Sequence, residues 1–178
     1  MGMDSIEPWL SYAESRGKGA FVLLKTSNKG MKDFQYLELA AGKRRLYHAV
    51  GDRLADLAVI YRGKYGYGAF GAVVGADPKS GAEREEAAAI RECYNSLFFL
   101  IPGYGAQGGA AEDADLLLRE GNGGVVNASR SILKAWTTKA ANSSSLQKDK
   151  EPDNEFAAEA AREAVLTMRD TIRTAVKK

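Results

Sequence analysis

The stretch FFLIPGYGAQGG, residues 98–109, places a short apolar run directly before a glycine-rich turn. An apolar run that is bounded by proline and glycine is typical of a strand buried on both faces, as in parallel sheets. Residues 111–120, AEDADLLLRE, follow with the composition of a short helix. The stretch therefore predicts one strand–turn–helix unit, with its strand at 97–101.

The same unit recurs along the rest of the chain. Further strands are predicted at 20–25, 72–75 and 124–128, and further helices at 4–16, 43–62, 81–95 and 155–176. Strands that alternate with helices predict an α/β fold with parallel pairing and right-handed crossovers. Two architectures fit this order, a small doubly wound sheet and half of a (β/α)₈ barrel. Residues 1–178 are expected to form one domain, with 137–154 as a mobile polar connection within it.

Composition excludes several classes of protein. The 178 residues are 45% apolar and 27% charged, with a net charge of +2, which favours an ordinary globular domain over a nucleic-acid binder. A single cysteine, Cys93, and a single histidine, His48, disfavour a disulfide framework and a metal cluster. The sequence shows neither a run of about 18 apolar residues nor a secretion signal. A cytoplasmic location with no membrane partner is therefore expected.

The glycine-rich turn permits two interpretations. Gly103, Gly105 and Gly108 satisfy G-x-G-x-x-G, the dinucleotide pattern in which backbone amides approach a pyrophosphate. That pattern also requires an acidic residue about 20 residues later, at the end of the next strand. Residues 127–130, NASR, occupy that place and offer no carboxylate. A dinucleotide site is therefore disfavoured.

A monophosphate pocket fits the same residues better. Gln107 with bare glycine backbone follows one strand, while Ser129 and Arg130 follow the next. Phosphate is bound by backbone N–H groups and by a fork-shaped guanidinium, and barrels often place this site after their last two strands. The alternative is that the glycines only form tight turns and Arg130 is a surface charge. Ser27, after the first strand, could read a heterocycle edge or simply form a turn.

Together these stretches resemble orotidine 5'-monophosphate decarboxylase in its longer bacterial form. The matching segments, in the order of the family, are DSIEPWL, FVLLKTSN with the following DFQ, GYGAFGAVVGA, IRE, FFLIPGYGAQGG, VVNASRSI and EFAAEAAREAVLTMRD. The resemblance implies a (β/α)₈ barrel, normally a homodimer, that acts on orotidine 5'-monophosphate (OMP) and releases uridine 5'-monophosphate (UMP). It also implies chemistry without a metal or cofactor.

The resemblance further implies which residues bind the substrate. Gln107 and Arg130 would bind the phosphate, Ser27 would contact the pyrimidine, and Pro102 would help to wall the base pocket. Backbone amides near Arg130 would complete the phosphate site, together with those near Gly108, Gly109 and Ser129.

The chain departs from the family at the catalytic motif. The family decarboxylates its substrate with a lysine–aspartate network that includes D-x-K-x-x-D. Asp77 and Lys79 begin like this motif, but Ala82 stands at the position of its second aspartate. Residues 4–16 match the fourth helix of the family, so the chain is expected to cover strands five to eight of the barrel. We therefore expect it to be inactive without a complementary N-terminal half; the alternative is a non-catalytic phosphate- or nucleotide-binding module.

Overall fold

The computed structural model describes residues 2–40, 42, 44–76, 78–105, 109–142 and 153–176. In this part of the chain four strands form, at Ala20–Lys25 (β1), Phe70–Val74 (β2), Phe99–Pro102 (β3) and Gly124–Asn127 (β4). The α-helices are Met3–Arg16 (α1), Leu46–Ile60 (α2), Gly81–Cys93 (α3), Ala111–Asp115 (α4), Ser129–Leu133 (α5), Ala135–Ala141 (α6) and Asn154–Val176 (α7). A short 3₁₀ helix spans Lys29–Asp33.

The strands pair in parallel and in chain order, β1-β2-β3-β4. Parallel neighbours need a crossover between them, and α2, α3 and α4 lie in the three connections. The predicted α/β class with a parallel sheet is therefore confirmed. The register of the last pair sets Pro102 opposite Asn127, so the loops that follow β3 and β4 start at the same level.

The main core lies on one face of this sheet. Alternate side chains of the strands point towards the helices and pack in one apolar cluster with Leu54 of α2 and Ile90 of α3. The strand residues in that cluster are Val22, Leu24, Ala72, Val74, Phe99, Ile101 and Val126. The helices are thus held to the sheet by burial of apolar surface on this side.

The other face of the sheet is open in the described part of the chain. Phe21 is 44% exposed, Leu23 is 62% exposed and Val125 is 47% exposed. The prediction that residues 20–25 form a strand buried on both faces was therefore wrong, although β2 is buried throughout. An apolar run shows that a strand is suited to burial, whereas the layers around it decide whether both of its faces are covered.

The region after β4 holds more helix than expected. The helices α5 and α6 were not predicted, and α6 occupies the start of the 137–154 segment that was expected to be a polar connection. Both helices pack against α7, and Lys139 of α6 lies 2.7 Å from the carboxylate of Glu163 in α7. Residues 143–152 of that segment lie outside the described residues. Among the described helices, none combines the length and the apolar character that crossing a bilayer requires.

Arg91 ties the end of α3 to the start of β4. It is 4% exposed, and its guanidinium lies 4.0 Å from the centre of the Phe99 ring. It donates hydrogen bonds to the carbonyl oxygens of Tyr94, Leu97 and Gly123. Burial lowers the pKa of Arg91 to about 10. One buried guanidinium thus provides hydrogen-bond donors for three backbone carbonyl groups that lie outside the helices and strands.

Replacing Arg91 by methionine should destabilise the fold. The side chain keeps a similar volume, but three carbonyl groups lose their donor, and we expect the free energy of unfolding to fall by about 3 kcal/mol. Urea unfolding followed by circular dichroism measures this change. Arg53→Met is the matched control, because Arg53 is exposed and its change should stay below about 0.5 kcal/mol. Equal effects of the two variants would contradict the anchoring role of Arg91.

Candidate functional site

The carboxyl ends of the four strands meet at one edge of the sheet, where ligands bind in parallel α/β folds. Three short segments leave this edge close together. Ser27 follows β1, Ala76 follows β2, and the amide of Ala76 donates to the carbonyl oxygen of Pro102 at 2.8 Å. A cleft of about 110 Å³ opens between the loops after β3 and β4. Its lining residues are Pro102, Gly103, Tyr104, Asn127, Ala128, Ser129 and Arg130.

Three of the residues singled out from the sequence share this cleft, namely Pro102, Ser129 and Arg130. Arg130 is exposed and forms no ion pair with any carboxylate of the described residues. The hydroxyl of Ser129 donates to Oδ1 of Asn127 at 2.9 Å. Ser129 also begins α5, and the first N–H groups of a helix find no acceptor within it. A guanidinium beside such amides is an arrangement that suits an oxyanion.

The glycine-rich loop closes on itself beside the cleft. The amide of Gly105 donates to the carbonyl oxygen of Gly109 at 3.0 Å, and the amide of Gly109 donates to that of Gly103 at 3.2 Å. Gly103 and Gly105 have φ of 104° and 73°, a region that favours glycine. A Cβ at Gly105 would lie 2.9 Å from Oγ of Ser131, so the loop rests against α5. Gln107 and Gly108 lie outside the described residues.

Gly109 shows why this loop needs glycine on the side of β2. A Cβ at this position would lie 2.0 Å from the carbonyl oxygen of Ala76, a distance that no side chain tolerates. The next residue, Ala110, donates its amide to Oδ2 of Asp113 at 2.9 Å. Asp113 is 5% exposed, and its other carboxylate oxygen pairs with Arg84 of α3. A buried carboxylate that pairs with an exposed arginine therefore holds the end of the loop.

Ser27 lies elsewhere along the same edge. It follows β1, two strands away from β3, and it does not line the cleft. A Cβ at Gly75 would lie 2.8 Å from the Cβ of Ser27, so the segments after β1 and β2 touch. The preceding residue, Thr26, is fixed by Gln35, which accepts from the Thr26 amide at 2.9 Å and donates to its hydroxyl at 3.0 Å. The contact of Ser27 with a pyrimidine stays a prediction.

A buried polar cluster anchors the end of β1. Lys25 is 7% exposed, and its Nζ lies 3.5 Å from the carboxylate of Glu86 in α3. Arg45 pairs with the same carboxylate, which also accepts hydrogen bonds from the hydroxyls of Tyr36 and Tyr47. Burial raises the pKa of Glu86, but these hydrogen bonds and the charges of Lys25 and Arg45 more than offset it, so the pKa is lowered.

Comparison with known proteins gives the family of this chain. The family model described as "Orotidine 5'-phosphate decarboxylase / HUMPS family" matches residues 1–144. The chain belongs to this family. The resemblance noted in the sequence is therefore confirmed at the level of the family.

Relatives with known names support the same family. A protein named orotidine 5'-phosphate decarboxylase from Petrotoga mobilis is 47% identical to this chain, over 98% of this chain and 55% of its own length. A protein of the same name from Clostridium perfringens is also 47% identical, over 100% of this chain and 56% of its own length. The chain thus spans about half the length of the curated relatives it matches. Among solved structures, a putative orotidine-monophosphate-decarboxylase from Toxoplasma gondii matches with a TM-score of 0.69 and 28% identity, over 100% of this chain and 57% of that one. The UMP synthase of Leishmania donovani matches with a TM-score of 0.63 and 32% identity, over 97% and 31%.

Several residues at the carboxyl edge of the sheet were not predicted from the sequence to belong to the site. Tyr104 and Asn127 line the cleft, although both lie inside the motifs that were quoted for the resemblance. The pair Arg84 and Asp113 joins segments 29 residues apart, and no local pattern signals it. Within the described residues, no three His, Cys, Asp or Glu side chains are grouped so that they could hold a metal ion.

Replacing Glu86 by glutamine should weaken the fold and change its response to acid. The folded-state pKa of Glu86 lies below its ordinary value of 4.5, so its contribution is present above pH 4.5 and is lost as the pH falls through the folded-state value. We expect Glu86→Gln to lower the free energy of unfolding by about 2 kcal/mol at pH 7. The deficit should shrink as the pH is lowered towards 3.

Urea unfolding at a series of pH values measures this dependence. Glu155→Gln is the control, since Glu155 is exposed at the start of α7 and the same substitution there should cost less than about 1 kcal/mol. A Glu86→Gln profile that runs parallel to that of the unsubstituted chain at every pH would refute the charge-based role of Glu86.

Proposed function

We propose that this chain supplies the substrate-binding half of an orotidine 5'-monophosphate decarboxylase, which converts OMP into UMP and CO₂ in pyrimidine biosynthesis. The observation that carries this proposal is the single cleft that brings Pro102, Ser129 and Arg130 together at the carboxyl edge of the sheet. A guanidinium that pairs with no carboxylate of the described residues, beside the start of a helix, fits a phosphate, and the proline ring fits a flat base. The family and the names of the relatives support the same substrate.

Each site residue has a specific role in this proposal. Arg130 and Gln107 bind the phosphate, and the backbone amides at Gly108 and Ser129 complete its ligand shell. The amide of Gly109, which the resemblance also assigned to the phosphate, donates to the carbonyl oxygen of Gly103 and so holds the shape of the loop instead. Pro102 walls the base pocket, while Ser27 contacts the pyrimidine from the end of β1. The ion pair that holds Ala110 after the loop supports this placement, because phosphate recognition by backbone amides requires a fixed loop.

The open face of the sheet supports a place within a (β/α)₈ barrel. In a closed barrel the inner face is filled by layers of side chains, and no strand has a free edge. Here the apolar inner face is exposed in the described residues, and β1 and β4 form the two edges. We propose that the chain forms strands five to eight and that a complementary N-terminal half-barrel covers this face. The assembled enzyme is proposed to be a cytoplasmic homodimer that needs no metal or cofactor.

The chemistry of the assembled enzyme is divided between the two halves. The bond between C6 of the pyrimidine and its carboxylate breaks, CO₂ leaves, and the electron pair that remains on C6 takes a proton from a lysine. That lysine belongs to the D-x-K-x-x-D motif, which this sequence does not contain. The half formed by this chain holds the phosphate, and binding energy from this remote group serves to organise the reacting centre.

A non-catalytic nucleotide-binding module is the second candidate. It is favoured by the absence of D-x-K-x-x-D from this sequence, which nevertheless carries the residues proposed to bind the phosphate. The two proposals differ in what the isolated chain can do. Strong binding of UMP by a self-associated chain would favour the module, whereas binding that requires an N-terminal half would favour the divided enzyme.

The purified chain alone should not decarboxylate OMP. It lacks the lysine that protonates C6, so turnover should be detected only after a half-barrel that carries D-x-K-x-x-D is added. Loss of OMP absorbance, measured with and without that half, gives the result. Normal turnover by the chain alone would refute the division of roles, and the added half alone is the control.

Arg130→Ala should strongly lower the kcat/KM of the reconstituted enzyme. Loss of a charge-assisted pair with the phosphate is expected to cost several kcal/mol of transition-state stabilisation, which lowers kcat/KM by roughly a hundredfold or more. Lys134→Ala is the matched control, since it removes one nearby exposed positive charge that does not line the cleft. An unchanged kcat/KM in Arg130→Ala would refute the assigned role.

A further inference from the structure

The open face of the sheet is apolar except at one point. Val126 packs into the core on the helix side, so its neighbours Val125 and Asn127 lie on the opposite face. By the same alternation, that face carries the apolar side chains of β1, β2 and β3: Phe21, Leu23, Val73, Leu100 and Pro102. A register shift between Leu23 and Lys25 interrupts the alternation in β1, and Lys25 pairs with Glu86 of α3 on the helix side. Among the strand residues, all of which the structure describes, Asn127 is therefore the one polar side chain on the open face.

Asn127 stands at the mouth of the cleft with one end of its amide fixed. Its Oδ1 accepts the hydroxyl hydrogen of Ser129 at 2.9 Å. The amide nitrogen, which carries two donors, meets no acceptor in the described part of the chain. Asn127 is exposed and lines the cleft, so these donors are available to a ligand that enters there.

The register position of Asn127 in β4 indicates which part of a bound nucleotide it would contact. It pairs in register with Pro102, the proposed wall of the base pocket. The groups proposed to bind phosphate, the amide of Ser129 and the guanidinium of Arg130, lie beyond it in the first turn of α5. Asn127 therefore lies directly beside the proposed base pocket in the sheet, whereas the proposed phosphate ligands follow it in α5.

We infer that Asn127 is a specificity-determining residue, whose amide N–H donates to an acceptor on the base of a pyrimidine nucleotide. This inference rests on the proposed function and adds a recognition group that the family resemblance did not include. A single donor in an apolar wall discriminates strongly, because a ligand without a matching acceptor leaves that donor unpaired. Ser129 is then a positioning residue as well, since its hydroxyl orients the amide.

Two ligands separate recognition of the base from recognition of the phosphate. UMP carries both parts, whereas ribose 5-phosphate lacks the base. Each is titrated by calorimetry into the 178-residue chain, alone and together with the complementary half-barrel. Asn127→Leu keeps a similar volume and removes the donors without adding a charge. We expect it to weaken UMP binding by about tenfold and to leave ribose 5-phosphate binding unchanged.

Two further variants make the result decisive. Asn127→Ala should reproduce the selective loss, which guards against a packing effect of leucine. Ser129→Ala keeps the amide but releases it, and should produce a smaller loss that is also confined to UMP. Equal weakening of both ligands by Asn127→Leu would overturn the inference in favour of a phosphate contact, and no weakening would overturn it altogether. If the unsubstituted chain binds neither ligand in either state, the proposed function and the inference both fail.

Discussion

The parallel pairing of β3 with β4, with Pro102 opposite Asn127, is the constraint on which the site depends. Parallel strands in register release their loops at the same level and on the same edge. The glycine-rich loop after β3 and the start of α5 after β4 therefore meet across one cleft. Pro102 and Arg130 are 28 positions apart in the chain. The pairing of β3 with β4 is what brings them to the same surface.

The charged anchors of the fold and Asn127, the proposed base-recognition residue, lie on different sides of this sheet. Arg91, Glu86 and Asp113 are held by partners among the helices and loops that pack on the core side. Each of them fixes a segment that leaves a strand or enters one: the start of β4, the end of β1 and the end of the glycine-rich loop. The open side is left apolar, with Asn127 at its edge. The groups that fix these segments thus all lie on the core side of the sheet.

Local patterns in the sequence were sufficient for the four strands and for five of the helices in the described part of the chain. The apolar runs marked all four strands, and the helix predicted at 155–176 is α7 to within one residue at its start. Local patterns failed for α5 and α6, which are short and depend on packing against α7. They also failed for burial, because the run at 20–25 looks like a central strand yet forms an edge with Phe21 and Leu23 exposed.

The sequence by itself determined the family, the alternation of strands and helices, and the residue types suited to a phosphate, because these follow from local spacing and from motifs of contiguous residues. Only the tertiary structure decided which of those residues share a cleft and which face of the sheet is covered. It placed Pro102, Ser129 and Arg130 together, left Ser27 two strands away from β3, and set Asn127 among apolar neighbours. Strand order and register bring distant residues together, and neither is encoded in any single stretch of the chain.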